Sequence, residues 1–315
     1  MISGAAASMY VVTIDLDAHR RELLAHCYRM TGSVADAEDL VQETMLRAWR
    51  ARDAFDPGRA SLRTWLYRIA TNVCLTALER RGRRPLPSGL GGATFDPDTA
   101  LVRGPEVPWL QPIPDALITD PASVVASRGS VRLALVAAMQ HLSARQRAVL
   151  ILRDVLAWPA AEVADLLDVS VAAVNSLLQR ARTQLAAVSP AEDNTVEPSS
   201  AAQRATLDQF AAAFENADPA LLTRLLAEDV TLEMPPHRTW FSGRHAVDTF
   251  LGRVIRSGSW RLLPTRANNE PAFGTYLDGH PHGITVLELP GSSITRIVAF
   301  HDPALFTTFA FDRPA

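Results

Sequence analysis

The sequence predicts a multidomain chain in which two all-α domains precede an α+β domain, and three observations lead there. Apolar residues recur at spacings of three and four from Asp17 to Arg84 and again from Val131 to Val188, the period of helices that bury one face. Between these stretches, residues 85 to 123 carry Pro85, Pro87, Pro97, Pro105, Pro108, Pro112, Pro114 and Pro121 with a glycine cluster from Gly89 to Gly92, a texture that keeps regular helices short. Beyond a polar segment from Ser189 to Ser200, helix-like Leu207 to Phe214 and Leu221 to Leu226 give way to alternating residues at 230 to 234 and 284 to 289, helices followed by strands. A chain of 315 residues has room for three such units.

Composition narrows the class without choosing a function. With 48% apolar residues, 21% charged residues and a net charge of −3, the chain reads as a soluble globular protein. All 31 of its Lys+Arg positions are arginine, so the clustering of arginine carries more information than its number. Cys27 and Cys74 lie in helix-like surroundings without metal-ligand spacing, which suits buried thiols in a reducing compartment, the cytoplasm. The sequence shows no run of about 18 apolar residues and no N-terminal basic segment followed by an apolar run, so no membrane partner is expected. Neither a metal nor a cofactor is expected.

In the first helical domain, Asp36, Glu38, Asp39 and Glu43 fall on a helix whose apolar side continues through Met45, Leu46 and Trp49. Acids near a helix N-terminus favour the helix dipole, so a capped, solvated face is the plain alternative to a docking surface. The segment from Arg59 to Arg84 then holds seven arginines against one acid, Glu79, interleaved with Trp65 and Tyr67. Positive charge binds phosphates without regard to sequence, and aromatic faces stack on unpaired bases, a combination that suits single-stranded DNA. The alternative is that Trp65, Leu66, Ile69 and Val73 form one buried stripe with arginines solvating the other side.

These residues carry a family resemblance. Asp36-Ala37-Glu38-Asp39-Leu40-Val41-Gln42-Glu43-Thr44, then Ala48-Trp49, Phe55 and Arg63-Thr64-Trp65-Leu66-Tyr67-Arg68-Ile69-Ala70-Thr71-Asn72, closely resemble the polymerase-binding and promoter-opening domain of extracytoplasmic-function sigma factors. The resemblance implies a domain over residues 15–85. In it Asp39, Leu40, Val41, Gln42 and Glu43 dock on the clamp of core RNA polymerase. Phe55, Arg59, Ser61, Arg63, Trp65, Arg68, Asn72, Arg80 and Arg81 capture the opened minus-10 element.

The second helical domain, residues 129–188, has a Ser143 cap before the apolar run Val149 to Leu152. It then has a helix begun by Pro159, a turn at Asp168-Val169-Ser170 and a helix from Val171 to Leu185. Two short helices joined by a tight turn form a helix-turn-helix, whose second helix enters the major groove. On it Val174, Leu178, Ala181 and Leu185 should face the core. Ser170, Ala172, Ala173, Asn175, Ser176, Gln179 and Arg180 are left as the DNA-facing set, small residues allowing close approach and Asn, Gln and Arg reading base edges or phosphates. The segment resembles the minus-35-recognition domain of the same sigma factors, which implies contact with the polymerase flap as well. Asn175 and Leu177 depart from basic residues in many relatives, and Val174 to Ala181 resembles instead the subgroup with a C-terminal extension.

The linker, residues 86–128, contains the apolar patch Val107-Pro108-Trp109-Leu110-Gln111-Pro112-Ile113-Pro114-Asp115, similar to the linker motif of those extended factors. Trp109 and Leu110 are expected to anchor it on the C-terminal domain. A second linker spans residues 189–202. Residues 203–315 resemble the cone-shaped α+β fold of the nuclear-transport-factor-like (NTF2-like, SnoaL-like) superfamily, with Met234, Trp240, Trp260, Tyr276 and His301 as candidates to line a pocket for a small ligand. That superfamily includes enzymes and binding modules. His237, His245, His280, His282 and His301 could each work near neutral pH, with Asp302 beside His301, yet no acid/base dyad is evident and no catalytic residue is assigned.

The function expected is transcription initiation as a polymerase subunit with core RNA polymerase and promoter DNA as partners. The fused domain would regulate it and make a separate anti-sigma factor unnecessary. The alternative is a ligand-responsive DNA-binding regulator, or a bifunctional protein whose last domain is a small-molecule module or enzyme.

Overall fold

A computed structural model describes residues 15–79, 82–118, 131–188 and 201–311. In the first helical domain the stripes of α1 (Arg20–Thr31), α2 (Val34–Arg50) and α3 (Leu62–Leu78) converge, enclosing Leu23, Tyr28, Met30, Val41, Ala48, Leu66 and Ala70. Cys27 and Cys74 are free thiols inside this core, sulfurs 3.6 Å apart. The hydrogen bond with Cys74, and then burial, push the Cys27 thiol up, which keeps it unreactive. The chain turns from α1 into α2 at Gly32, whose φ of +70° is left-handed and whose missing Cβ leaves room for Leu110. Ser33 and Ser61 cap α2 and α3, accepting the N–H groups of Asp36 at 3.2 Å and Thr64 at 3.1 Å.

The linker contributes one short turn of helix, α4 (Asp115–Ile118). The second helical domain follows with α5 (Leu133–Met139), α6 (Ala144–Leu150), a π-helical turn (Ile151–Val155), α7 (Ala160–Leu167) and α8 (Val171–Val188). Ser143 and Gln146 form a capping box at the start of α6. Asp168, at φ +53°, ends α7 in the left-handed conformation that Asp tolerates and aims α8 away. Val174, Leu178 and Ala181 are buried and Leu185 half-buried, as the periodicity predicts.

The C-terminal domain opens with α9 (Ala201–Glu215), which begins within the expected linker, and α10 (Pro219–Leu225). Its sheet comprises β1 (Leu226–Glu233), β2 (Trp240–Ser242), β3 (Trp260–Ala267), β4 (Glu270–Leu277), β5 (His280–Glu288) and β6 (Ile294–Phe300), with α11 (Arg244–Val254) after β2 and α12 (Leu305–Thr308) at the end. The strand order is β2-β1-β6-β5-β4-β3; β1 and β6 run parallel and the other neighbours antiparallel. One face, with Leu232, Phe273, Leu287 and Ile297, packs on Phe210, Phe214, Leu222, Val247 and Leu251 of the helices. The other, with Ala272, Ile284, Val286, Val298 and Phe300, belongs to the same apolar core as the two helical domains. A sheet covered on both sides reads as the near-continuous apolar run seen in β5.

The linker lies along this assembly as structured chain. Thr94 exchanges backbone hydrogen bonds with Trp240 and Ser242 at 2.9 and 3.0 Å, and Gly104 N–H and Arg238 N–H close a second short ladder with Pro236 O and Val102 O at 2.8 and 2.7 Å. Both pairings occupy the free edge beside β2. The expected anchoring on the C-terminal domain needs correction for Leu110. Leu110 is fully buried against Gly32, and its N–H donates to Pro85 O, so it anchors on the helical domains. Trp109 covers the linker's own turn, its indole N–H donating to Gly104 O at 2.9 Å beside the Arg238 side chain.

Candidate nucleic-acid interface

On α2 the five residues expected to dock separate into two groups. Asp39 and Gln42 are exposed, and Glu43 is half-buried with its carboxylate accepting from Arg47 at 2.6 Å. Leu40 and Val41 are buried in the domain core and cannot touch a partner without unfolding it. The apolar part of this surface is instead Leu46 and Trp49, 51% and 59% exposed, with Arg52 stacked over the Trp49 ring at 4.3 Å. Asp39, Gln42, Leu46 and Trp49 follow the helical repeat and form one stripe, a signal present in the spacing but masked by reading the acidic run as a block.

On α3, Trp65, Arg68 and Asn72 form a second stripe, Arg68 and Asn72 exposed and Trp65 half-buried with its ring 5.1 Å from that of Phe55. Arg59 and Ser61 are exposed at its start, Ser61 being also the helix cap. Arg63 differs: its guanidinium donates to Glu22 at 2.6 Å and lies over Tyr67 at 4.9 Å, so part of its charge is already matched. Arg80 and Arg81 lie outside the described residues.

On α8, Ala172, Asn175, Ser176, Gln179 and Arg180 are exposed and Ala173 half-buried. Ser170 precedes the helix and accepts the Ala173 N–H at 3.1 Å. Asn175, Gln179, Arg153 and Arg182 line a polar cleft of about 350 Å³ along this face. Arg182 donates two bonds to Asp154, at 2.6 and 2.9 Å, which fixes its plane.

The two helical domains touch. Trp158, after the π-helical turn, sets its ring edge-on to Tyr67 of α3, 6.1 Å between centroids. Arg147 of α6 is buried and donates to Met30 O of α1, to Gln140 at 3.0 Å and to Leu142 O at 3.3 Å. Burial pulls its guanidinium down to about 10, so it stays charged and binds one carbonyl, Met30 O, across the joint and two within its own domain.

The C-terminal domain closes this joint through a hairpin tip that sequence reading missed. Asn268, between β3 and β4 at φ +57°, is fully buried. Its amide oxygen accepts Ile113 N–H at 3.1 Å, and its amide nitrogen donates to Tyr28 Oη at 2.8 Å and Val131 O at 2.7 Å. One side chain thereby joins the first helical domain, the linker and the lead-in to α5. Beside it Glu270, buried, accepts Leu133 N–H at 3.4 Å at the start of α5. Burial, then the neighbouring Glu288, push its carboxyl up to about 8. Arg296 binds Glu233 at 2.6 Å and Glu288 at 3.1 Å, and Glu233 also accepts the linker's Ser88 N–H at 2.8 Å. Burial opposes the Arg296 charge, but the two carboxylates outweigh it.

Of the residues expected to line a pocket, Met234, Trp260 and His301 lie in one neighbourhood and Trp240 and Tyr276 do not join them. Met234 and Trp260 belong to the core between sheet and helices, and the His282 ring lies between those of Trp260 and His301 at 5.2 and 4.7 Å. Tyr276 faces the opposite side, ring against Phe306, and Trp240 lies on the linker edge, donating to Gly91 O at 2.9 Å. Alternation along a strand sends neighbouring residues to opposite faces, so a pocket set chosen by residue type mixes the two. His245 and His280 are exposed. Among the described residues no cluster of His, Cys, Asp and Glu could hold a metal, and no helix is long and apolar enough to cross a membrane.

Comparison with known proteins matches these surfaces to a family. Residues 16–84 match the model of Sigma-70 region 2, and residues 132–185 that of Sigma-70 region 4. The chain is 51% identical over 309 residues to the extracytoplasmic-function RNA polymerase sigma factor SigG of Mycobacterium tuberculosis, covering 94% of this chain and 83% of the relative. It is 31% identical to SigJ of the same organism, over 69% of this chain and 62% of the relative. The crystal structure of Mycobacterium tuberculosis SigJ superposes with a TM-score of 0.61 at 25% identity, covering 93% and 97% of the two chains.

Proposed function

We propose that this chain, which belongs to the extracytoplasmic-function RNA polymerase sigma factors, is held closed by its own C-terminal domain and must open to use its two DNA-reading helices together. Sigma factors of this family serve transcription initiation with core RNA polymerase and promoter DNA. In this chain the α2 stripe of Asp39, Gln42, Leu46 and Trp49 is the reading favoured for core docking. Trp65, Arg68 and Asn72, with Phe55, Arg59 and Ser61, are assigned to the minus-10 strand, and Asn175, Ser176, Gln179 and Arg180 to the minus-35 duplex.

The observation that carries the proposal is the contact of Trp158 with Tyr67 at 6.1 Å, clasped by Asn268. Elements named for positions 25 base pairs apart lie roughly 80 Å apart on straight DNA, at about 3.4 Å per base pair. Domains in mutual contact do not span that distance, so promoter binding requires them to part. Asn268 holds three segments in the contracted arrangement, which makes the C-terminal domain a restraint.

The test is promoter-dependent transcription with purified core polymerase, comparing the natural chain with Asn268→Gly. Glycine keeps the left-handed backbone and its N–H and removes the side-chain amide with its methylene. Several-fold more initiation by the variant at equal core binding is the expected result. Equal initiation by a folded variant would mean that the clasp does not restrain the chain, and lower initiation would assign the domain an activating role.

A further inference from the structure

Three histidines of the C-terminal domain come together where the linker crosses its edge. His237 follows β1, His282 lies where the β4–β5 register shifts, and His301 follows β6. The His301 ring is 4.7 Å from that of His282 and 5.7 Å from that of His237. His237 Nδ1 is 3.1 Å from Met234 O, and among the described residues no hydrogen bond engages the ring nitrogens of His282 or His301. Directly opposite His237 in the short ladder formed by Gly104 N–H and Arg238 N–H is Arg103 of the linker. Residues opposite each other in an antiparallel pair project to the same side, about 4.5–5.5 Å apart at Cβ, where like charges are destabilising.

Among the described residues, the charged groups around the cluster leave it without a counterion. On the linker these are Arg103 and Glu106, and Glu106 is engaged by Arg238 of the 235–239 loop. After β6, Asp302 is exposed and accepts the Ala304 N–H at 3.0 Å. From β3 the neighbour is Trp260, uncharged, and from β5 it is His282 itself. We infer that His237, His282 and His301 form, with Arg103, a proton-sensitive joint that seats the linker on the C-terminal domain while the imidazoles are neutral and releases it when they take up protons. The inference concerns the linker seat and stands apart from the DNA-reading assignments.

The direction of the effect follows from linkage. Burial pulls all three imidazoles below their ordinary value, His301 to about 3, with His282, His237 and Arg103 adding to the effect there. A group that binds protons less readily in the closed form leaves that form undisturbed above the ordinary imidazole range and weakens it as pH falls below about 6.5.

The test is amide hydrogen exchange of the full chain between pH 7.5 and 5.5, corrected for the intrinsic pH dependence of exchange, read at Gly104 and Arg238. The Asn268 amide, which donates to Ile113 O at 3.0 Å away from the histidines, serves as the internal reference. Protection at Gly104 and Arg238 should fall by up to about tenfold per pH unit for each proton taken up while Asn268 keeps its protection. Arg103→Gln should flatten that fall. A flat profile at Gly104 and Arg238, an equal loss at Asn268, or an unchanged profile in folded Arg103→Gln would each overturn the inference.

Discussion

At the scale of single residues, the same helix gives opposite roles to the side chains of its two faces. Leu40 is buried in the first helical domain, whereas Trp49 on α2 is 59% exposed with Arg52 over its ring. Truncating Leu40 therefore opens a cavity and should cost about 2–4 kcal/mol of stability. Trp49→Ala removes surface that the isolated chain leaves in water and should change stability by no more than about 0.5 kcal/mol. The two are separated by measuring thermal unfolding and core-polymerase affinity on each variant. Trp49→Ala should lose affinity at unchanged melting temperature. If Trp49→Ala bound core as tightly as the natural chain, the stripe of Asp39, Gln42, Leu46 and Trp49 would not be the docking surface.

At the scale of elements, α5 starts against a carboxyl from β4, since Glu270 accepts the Leu133 N–H. A carboxyl pushed up to about 8 binds a proton in the folded chain that the unfolded chain, with an ordinary value near 4.3, has released. Its favourable contribution is complete below that lower value and is lost as pH rises towards 8. Glu270→Gln keeps an acceptor for Leu133 N–H without the titration. The natural chain should lose melting temperature more steeply than the variant between pH 5 and pH 8.5, and the variant should be the more stable at the upper end. Parallel profiles would mean that Glu270 does not titrate in this window. Helices of this kind were legible in the sequence because each buries its own stripe: Ser143, Asp168, Val174 and Leu178 all occupy the roles that periodicity and capping give them. The strands were less so. β4 is buried along most of its length with apolar residues on both faces, which erases the alternation that would have placed Tyr276 on the face opposite Phe273.

At the scale of the whole molecule, the relation between domains was not legible in the sequence. Periodicity reports which face of an element is buried and not which partner buries it. Asn268-Asn269 reads only as a hairpin turn; that its amide reaches Tyr28 and Val131 depends on how separate units dock. The linker's prolines and glycines predict only that regular helices stay short, yet Gly104 and Thr94 pair with the sheet edge and Leu110 fills the helical core. Proline and glycine exclude regular helix without excluding fixed structure. In the closed molecule the two helices proposed to read DNA therefore lie in a geometry too short for a promoter, and opening should be visible as a distance. Thr76 on α3 and Ala186 on α8 are exposed and outside the residues assigned to DNA, while the native thiols of Cys27 and Cys74 are buried, so labels can be placed at Thr76→Cys and Ala186→Cys selectively. In the free chain the label distance should be short and single-valued. On binding core polymerase and promoter DNA it should lengthen by tens of ångströms, towards the roughly 80 Å that straight DNA sets at about 3.4 Å per base pair. Asn268→Gly should populate longer distances before any partner is added, because the clasp and not the partner is then the missing term. An unchanged distance in the promoter complex would mean that the two helical domains act as one unit, and the C-terminal domain would then stabilise a rigid reader in place of restraining a divided one.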